Sequence, residues 1–230
     1  QSQVNTHCAD QIVDWVHAHD LTVRFLLDTH IHADRPSATG YLKSRFLCAQ
    51  SCIGAGTDEV SGYDRLLEDD EKLCLGHACG RVMATPGHTR GCVSFVFDDH
   101  IFVGDTLFMP DIGTARCDFP GGDARSLYNS IRKILSLSDR TRIYMCHDYP
   151  DGRRSRFVTT VGEEKSKNIH VGAGASVDEF VTMRTTRDAA LSTPRWADFS
   201  IPANLACLDM VGINALVNRY SELQWERTNL

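Results

Sequence analysis

The segment 29–35 places His30, His32 and Asp34 at alternate positions, directly after an apolar run. That run, Leu21 to Leu27, is rich in valine, phenylalanine and leucine and predicts a buried strand. Neutral imidazole and carboxylate groups bind borderline divalent metals, and crowding several of them together without a cation would be unfavourable. The segment therefore predicts a metal site at the end of a strand.

Three further residues of ligand type also follow strand candidates: His88, Asp105 and His147. A single histidine in a loop is most often a surface residue, and an aspartate after a glycine is most often part of a turn or a helix cap. Repetition argues against those interpretations, because each apolar run leads into a histidine or an aspartate. We expect the six side chains to form one constellation beyond the edge of a sheet. The strand candidates are Arg81 to Ala84, Ile101 to Val103 and Ile143 to Cys146.

Helical patterns alternate with these strand candidates. Apolar spacing and caps predict helices over Cys8–His19, after the cap Asp123, and from the capping-box sequence at Ser176 to about Ala190. Tyr41–Leu47 predicts a short helix within 36–79, a segment whose pattern is otherwise weak. Because no repeat or linker divides the sequence, we predict an α/β layered fold in a single domain, 1–230.

Composition narrows the function classes. The formal net charge of -6 argues against a nucleic-acid-binding protein, and no apolar run approaches the length of a membrane helix. Neither glycine-rich segment completes the GxGxxG fingerprint of dinucleotide binding. Nine cysteines without a CxxC pair predict a reducing compartment, with most of them buried as small hydrophobic residues. We expect a soluble cytoplasmic protein, or a mitochondrial matrix protein if the source is eukaryotic.

Longer motifs carry a resemblance to a known family. Residues 85–95 read TPGHTRGCVSF, residues 104–123 read GDTLFMPDIGTARCDFPGGD, and residues 146–149 read CHDY. Together with the HxHxD sequence that starts at His30, these motifs resemble the metallo-β-lactamase superfamily. More narrowly, they are similar to its persulfide dioxygenase (sulfur dioxygenase) branch, and most of all to the bacterial β-lactamase hydrolase-like proteins.

The resemblance implies an αββα sandwich that holds one Fe(II) per chain, with zinc as the alternative metal. It assigns the iron ligands to His30, His88 and Asp105. Two histidines with one carboxylate are also, on chemical grounds alone, the arrangement that leaves coordination positions open for substrate and oxygen. Three other residues match superfamily ligand positions and are expected around the iron, or as ligands of an alternative second metal: His32, Asp34 and His147.

The implied reaction is the oxidation of glutathione persulfide, or a similar low-molecular-weight persulfide, by O2 and water to sulfite and the free thiol. Arg116 and Tyr149 are candidates for holding the peptide portion of the thiol, since a guanidinium matches a carboxylate and a phenol gives a directional hydrogen bond. Arg116 could instead be a structural ion-pair partner, and Tyr149 could be a packed aromatic residue.

Other residues near the motifs have simpler interpretations. Cys117 and Cys146 are predicted to pack beside strands rather than to act as nucleophiles. The basic cluster after the last motif is predicted to be solvated; it consists of Arg153, Arg154 and Arg156.

Two features depart from the family pattern. Arg35 replaces the histidine that closes the HxHxDH motif, and a guanidinium has no lone pair for a metal, which disfavours a second metal ion. The sequence also begins almost at its first helix, and the stretch 58–63 is shorter than in relatives. We therefore expect the first strands of the sandwich to be missing.

Alternative functions stay open. One is a glyoxalase II-like thioester hydrolase with two zinc ions, and another is a catalytically silent domain of the same fold. A homodimer is an open alternative to a monomer.

Overall fold

The computed structural model describes residues 4–228, with side chains over residues 4–219. Seven α-helices are present in this part of the chain, with a short 3-10 turn at Gly172–Gly174. The helices are α1 (His7–Ala18), α2 (Thr39–Arg45), α3 (Ala124–Leu135), α4 (Val161–Lys167), α5 (Val177–Asp188), α6 (Ala197–Leu205) and α7 (Met210–Thr228). No helix within the described range is long and apolar enough to cross a membrane.

The strands form two sheets. The first has three strands in the order β1-β2-β3, and the second has six in the order β4-β5-β6-β7-β8-β9. Each sheet contains a parallel pair of strands. In the first sheet β1 runs parallel to β2, and in the second β7 runs parallel to β8. The predicted α/β fold is therefore confirmed. The strands are β1 (Phe25–Leu27), β2 (Gln50–Gly54), β3 (Arg65–Leu67), β4 (Lys72–Leu75), β5 (Ala78–Ala84), β6 (Val93–Phe97), β7 (His100–Phe102), β8 (Arg142–Tyr144) and β9 (Val158–Thr160).

The chain groups into two compact units. The first contains the described residues of Gln1–Cys52, Glu59–Leu66 and Thr193–Leu230, and the second contains Ile53–Asp58 and Leu67–Ser192. Residues 4–24 hold α1 and no strand, so β1 is the first strand of the described chain.

The core of the second unit forms where α3 packs against the six-stranded sheet. Leu127, Ile131 and Ile134 are fully buried in one cluster with Ile101 of β7 and Ile143 of β8. This stripe confirms the predicted helix, because residues three and four positions apart share one face. Each fully buried aliphatic side chain contributes about 1.5–3 kcal/mol of transfer free energy to folding.

The predicted helix caps at Asp123 and Ser176 are confirmed. The Asp123 side chain accepts from the Ser126 backbone N–H at 2.7 Å, and Ser176 and Glu179 form a complete capping box on α5. Phe97 of β6 pairs with His100 of β7, which leaves Asp98 and its neighbour as the turn. These elements position the two loops that follow β5 and β7.

The segment 36–79 was the part of the fold that sequence patterns described least well. The predicted helix over Tyr41–Leu47 lies two residues earlier, at Thr39–Arg45. Strands β2, β3 and β4 have only three to five residues each, which is too short for the alternation of apolar and polar residues to be recognised.

The prediction that most of the cysteines are buried is wrong. A disulfide joins Cys74 and Cys79, which are opposite each other on β4 and β5 beside the hairpin turn. Among the free cysteines, three are buried, one is half-buried, and three are exposed: Cys8, Cys48 and Cys146. Cys146 is therefore not the packing residue that its apolar neighbours suggested, because β8 ends at Tyr144 and the chain has already left the sheet.

Candidate metal centre

The first candidate ligand lies just after β1. His30 is 2% exposed, and its Nδ1 lies 3.0 Å from the Thr29 hydroxyl. The His30 and His32 rings meet edge to face with centroids 4.3 Å apart. This loop is held from α6, because the Asn204 side-chain amide donates to the backbone carbonyls of His32, at 2.7 Å, and Arg35, at 2.9 Å.

The second candidate ligand lies in the loop between β5 and β6. His88 is 6% exposed, and its Nδ1 lies 2.7 Å from the Arg116 carbonyl oxygen. Since a carbonyl can only accept, Nδ1 carries the proton and the lone pair is at Nε2. The preceding Gly87 has φ 142°, and a Cβ there would lie 2.3 Å from the Leu127 Cα. Glycine is therefore required to bring this loop against α3.

The third candidate ligand follows β7 in a tight turn. The Thr106 N–H donates to the Val103 carbonyl at 3.1 Å, and Gly104 between them has φ 56°. The Asp105 side chain is 12% exposed. Its Oδ2 lies 3.9 Å from His88 Nε2 and 3.7 Å from His147 Nε2. These distances are too long for hydrogen bonds and leave room for an ion between the groups.

Three of the six predicted residues form a group that could hold a metal ion, which we call the metal-binding group. One ligand atom from each of His30, His88 and Asp105 lies within 4.8 Å of the other two. Two imidazole nitrogens and one carboxylate oxygen are donors that suit iron or zinc. The donor set therefore fits a single divalent ion.

The other three predicted ligands have different surroundings. Asp34 is 45% exposed and forms an ion pair with Arg35 at 2.7 Å. His32 is buried beside His30. His147 stacks on Tyr149 with ring centroids 5.6 Å apart, and it approaches Asp105. None of the three belongs to the metal-binding group found within residues 4–219.

The two predicted substrate-binding residues also differ from each other. Tyr149 is 56% exposed and lies edge to face with Phe108 at 5.8 Å. Arg116 donates from Nε to Asp118 at 2.6 Å and from Nη1 to the Ser192 carbonyl at 2.9 Å. The guanidinium lowers the pKa of the Asp118 carboxyl below its usual range. Arg116 therefore has the structural ion pair that was its alternative interpretation.

The arginine cluster that we expected to be solvated is partly structural, which corrects that prediction. Arg153 bridges two carboxylates, donating to Asp111 at 2.6 Å and to Asp148 at 2.7 Å. Hydrogen bonds from Arg153 are the main cause of the lowered pKa of Asp148, the residue between His147 and Tyr149. Arg156 is exposed but pairs with Glu163, while Arg154 has the exposed position that the sequence predicted.

Sequence reasoning also missed a buried ion pair on α5. Arg184 and Asp188 are each 4% exposed in their side chains and lie four positions apart on one helix face. Asp188 accepts from the Cys117 backbone N–H at 2.8 Å, and Arg184 donates to the Thr114 carbonyl at 3.1 Å. Their i, i+4 spacing was the available signal, but it equally describes an exposed helix pair.

Comparison with known proteins gives the family. Residues 8–147 match the model of the metallo-beta-lactamase superfamily. A "Probable metallo-hydrolase" of Burkholderia pseudomallei is 47% identical over 84% of this chain and 75% of its own length. "Glyoxylase B2" of Dictyostelium discoideum is 40% identical over 88% of this chain and 76% of its own.

The persulfide dioxygenase branch is also represented. "Persulfide dioxygenase ETHE1, mitochondrial" of Homo sapiens is 36% identical over 81% of this chain and 70% of its own length. Relatives called beta-lactamase hydrolase-like protein match as well, and the chain spans 49% of their length. The crystal structure of ETHE1 from Myxococcus xanthus superposes with a TM-score of 0.77, at 34% identity, over 86% of this chain and 84% of that one. By its match to the family model and by these relatives, the chain belongs to the metallo-beta-lactamase superfamily.

Proposed function

We propose that this protein is a persulfide dioxygenase that binds one Fe(II) and oxidises glutathione persulfide, or a similar small persulfide, to sulfite and the free thiol. The observation that carries the proposal is that ligand atoms of His30, His88 and Asp105 lie close enough together to hold one ion. Relatives named persulfide dioxygenase support the substrate class. By the same relationship we propose a location in the cytoplasm, or in the mitochondrial matrix if the source is eukaryotic.

The side chains prepare the site for metal before any substrate binds. The Arg116 carbonyl holds the proton of His88 on Nδ1, so that the Nε2 lone pair is available. Asp105 supplies the single negative charge of the ligand set. When bound, iron would supply the redox chemistry of oxygen and sulfur, while two histidines and one carboxylate leave positions open for both reactants.

The substrate's thiol would be oriented by residues next to the metal ligands. Tyr149 stacks on His147, which in turn approaches Asp105, and its exposure makes it accessible to a small peptide. We propose that its phenol hydrogen-bonds the peptide portion of the persulfide. Arg116 stays a prediction as a ligand of a substrate carboxylate, since its guanidinium already pairs with Asp118.

A second candidate is a dinuclear zinc thioester hydrolase, which the relative named Glyoxylase B2 favours. That chemistry needs a second metal next to the first. Arg35 occupies the position of one expected ligand and pairs with Asp34, another. A fixed positive charge beside a second divalent ion opposes its binding, which supports the single-metal proposal.

The two candidates are separated by metal content and substrate. The chain would be loaded anaerobically with Fe(II), analysed for metal, and assayed for O2 uptake with glutathione persulfide and for hydrolysis of S-lactoylglutathione. About one iron per chain with persulfide-dependent O2 uptake is expected. Two zincs per chain with thioester hydrolysis would replace this proposal by the second candidate. A folded, iron-loaded sample with neither activity would identify a silent domain.

A matched pair of variants controls the assay. His88→Ala removes a metal ligand and should abolish both iron retention and O2 uptake. His77→Ala removes an exposed histidine in the β4–β5 hairpin turn of the same unit and should leave both unchanged. Equal losses in the two variants would show that the assay reports histidine removal in general.

A further inference from the structure

The metal ligand His88 is hydrogen-bonded to one side of a peptide group whose other side is bonded to a buried carboxylate. His88 Nδ1 donates to the Arg116 carbonyl at 2.7 Å, and the Cys117 N–H donates to Asp188 Oδ2 at 2.8 Å. The Arg116 carbonyl and the Cys117 N–H belong to the same peptide group. No described peptide bond is cis, so the two groups point to opposite sides of the chain.

We propose that Asp188 is a positioning residue for the metal ligand His88 and acts on it through this peptide group. In many metal sites a carboxylate accepts directly from the second ring nitrogen of a ligating histidine, which fixes the tautomer and makes the ring a better donor to the metal. Here a peptide group stands between carboxylate and imidazole. The inference deepens the proposed metal centre and rests on His88 being a ligand.

Polarisation of the peptide gives the interaction its direction. A negative charge on Asp188 strengthens the hydrogen bond from Cys117 and shifts electron density in the peptide toward the Arg116 oxygen. That oxygen then accepts more strongly from His88 Nδ1, and electron density at the metal-binding Nε2 rises. The effect is not screened by water, because Asp188 and His88 are only 5% and 6% exposed.

The rest of the network fixes the carboxylate in place. Arg184 donates to Asp188 Oδ1 from Nε at 2.9 Å and from Nη2 at 2.5 Å, which leaves Oδ2 for Cys117. Arg184 also donates to the Thr114 carbonyl, and His170 Nδ1 accepts from the Thr114 N–H at 2.9 Å. The loop that carries the peptide group is therefore also held at Thr114, two residues before Arg116.

The test uses Asp188→Asn in the full chain. Aspartate uses one oxygen to accept from Arg184 and the other to accept from the Cys117 N–H, whereas asparagine has only one side-chain oxygen. The variant therefore cannot keep both sets of hydrogen bonds in place, and it also lacks the negative charge of Asp188. The readouts are the His88 Nδ1–H proton resonance in metal-free protein, assigned by its loss in His88→Ala, and the Zn(II) dissociation constant. Neither readout uses a persulfide, so the proposed activity can fail while this inference stands.

We expect the His88 resonance of Asp188→Asn to move upfield and Zn(II) binding to weaken roughly tenfold or more. The control is Glu164→Gln, in which an amide also replaces a fully buried carboxyl. The Glu164 carboxyl accepts from the Asn168 side chain and does not bond the 116–117 peptide. The control's His88 resonance and Zn(II) affinity should stay within about twofold of the unmodified protein. An unmoved resonance and an unchanged affinity in Asp188→Asn would overturn the proposal, as would an equal effect of Glu164→Gln.

Two further measurements cover a variant that does not fold. The double variant Arg184→Gln, Asp188→Asn removes both charges of the buried pair, so no unpaired guanidinium is left inside, and the same two changes are expected. In the unmodified chain, Zn(II) at His88 should strengthen the donor Nδ1–H and move the Cys117 amide proton downfield. A Cys117 amide resonance that does not respond to Zn(II) would contradict the coupling.

Discussion

The Cα of Leu127 lies 2.3 Å from the point that a side chain on Gly87 would occupy. This contact joins α3 to the loop that carries His88, and it makes the position of this candidate metal ligand depend on one helix packing tightly against one glycine.

Gly87→Ala should therefore unfold the site as well as lower stability. The new methyl group would overlap backbone atoms of α3, and alanine at φ 142° is strained, so we expect a loss of at least about 3 kcal/mol. Gly76→Ala is the control, since φ is 61° there and nothing lies within 4 Å of the added Cβ. It should cost about 1 kcal/mol. Urea unfolding measures both, and equal costs would contradict the packing argument.

The variant His147→Ala tests whether His147 is a ligand of the proposed metal or only a neighbour of the ligands. His147 is outside the metal-binding group but lies 3.7 Å from Asp105 and stacks on Tyr149. The variant should keep about one iron per chain and lose roughly 10- to 100-fold in kcat/KM. Metal analysis and oxygen uptake measure the two quantities. Iron loss as complete as in His88→Ala would make His147 a ligand.

Arg153→Gln tests the bridge that holds the loop of His147. Without the guanidinium, Asp148 and Asp111 repel each other and Asp148 loses its two hydrogen bonds from Arg153. We expect roughly a tenfold lower kcat/KM, with iron content unchanged, because the bridge does not touch a ligand of the metal-binding group. Arg153→Lys keeps the charge and should recover part of the loss. A variant with the kinetics of the unmodified enzyme would restore the solvated-cluster interpretation.

The buried Glu164 predicts a pH dependence of stability. Burial raises the pKa of its carboxyl to about 8, with smaller contributions from the nearby charges of Glu163 and Asp111. A folded-state pKa above the unfolded value of about 4.3 means that stability is full below about pH 4 and falls as pH rises toward 8. Glu164→Gln cannot ionise. The stability of the unmodified chain relative to this variant should therefore fall by a few kcal/mol between pH 5 and pH 8.

Thermal and urea unfolding of the two chains across that range measures the difference. Parallel stability curves for the unmodified chain and Glu164→Gln would show that the carboxyl has an ordinary pKa in the folded state.

Local patterns predicted those parts of the fold whose signals are local. The stripe on α3 and the caps at Asp123 and Ser176 depend on residues a few positions apart, and the structure confirms them. Ligand candidates could be found because His30, His88 and Asp105 each follow an apolar strand. In contrast, the three-residue strand β3 contains no full pattern, and the Cys74–Cys79 pairing depends on the register of a hairpin.

The surroundings of the site could not be predicted because they join distant residues. Asp188 reaches a peptide group 71 positions earlier, and Arg153 reaches Asp111 over 42 positions. Nothing in the sequence near either residue distinguishes it from an exposed charge on a helix or loop. For Arg116 the sequence indicates only one of two partners. Asp118 lies two positions away, but the hydrogen bond to the Ser192 carbonyl joins distant residues and could not be predicted.

The bond from Asn204 to the His32 carbonyl has a consequence for biosynthesis. The two residues are 172 positions apart, so the loop of His30 emerges from the ribosome long before the amide that secures it has been made. A translating chain must therefore carry His30 and His32 without their final support until α6 has left the exit tunnel. Iron supplied to such a nascent chain would meet a loop that has not yet acquired its mature shape.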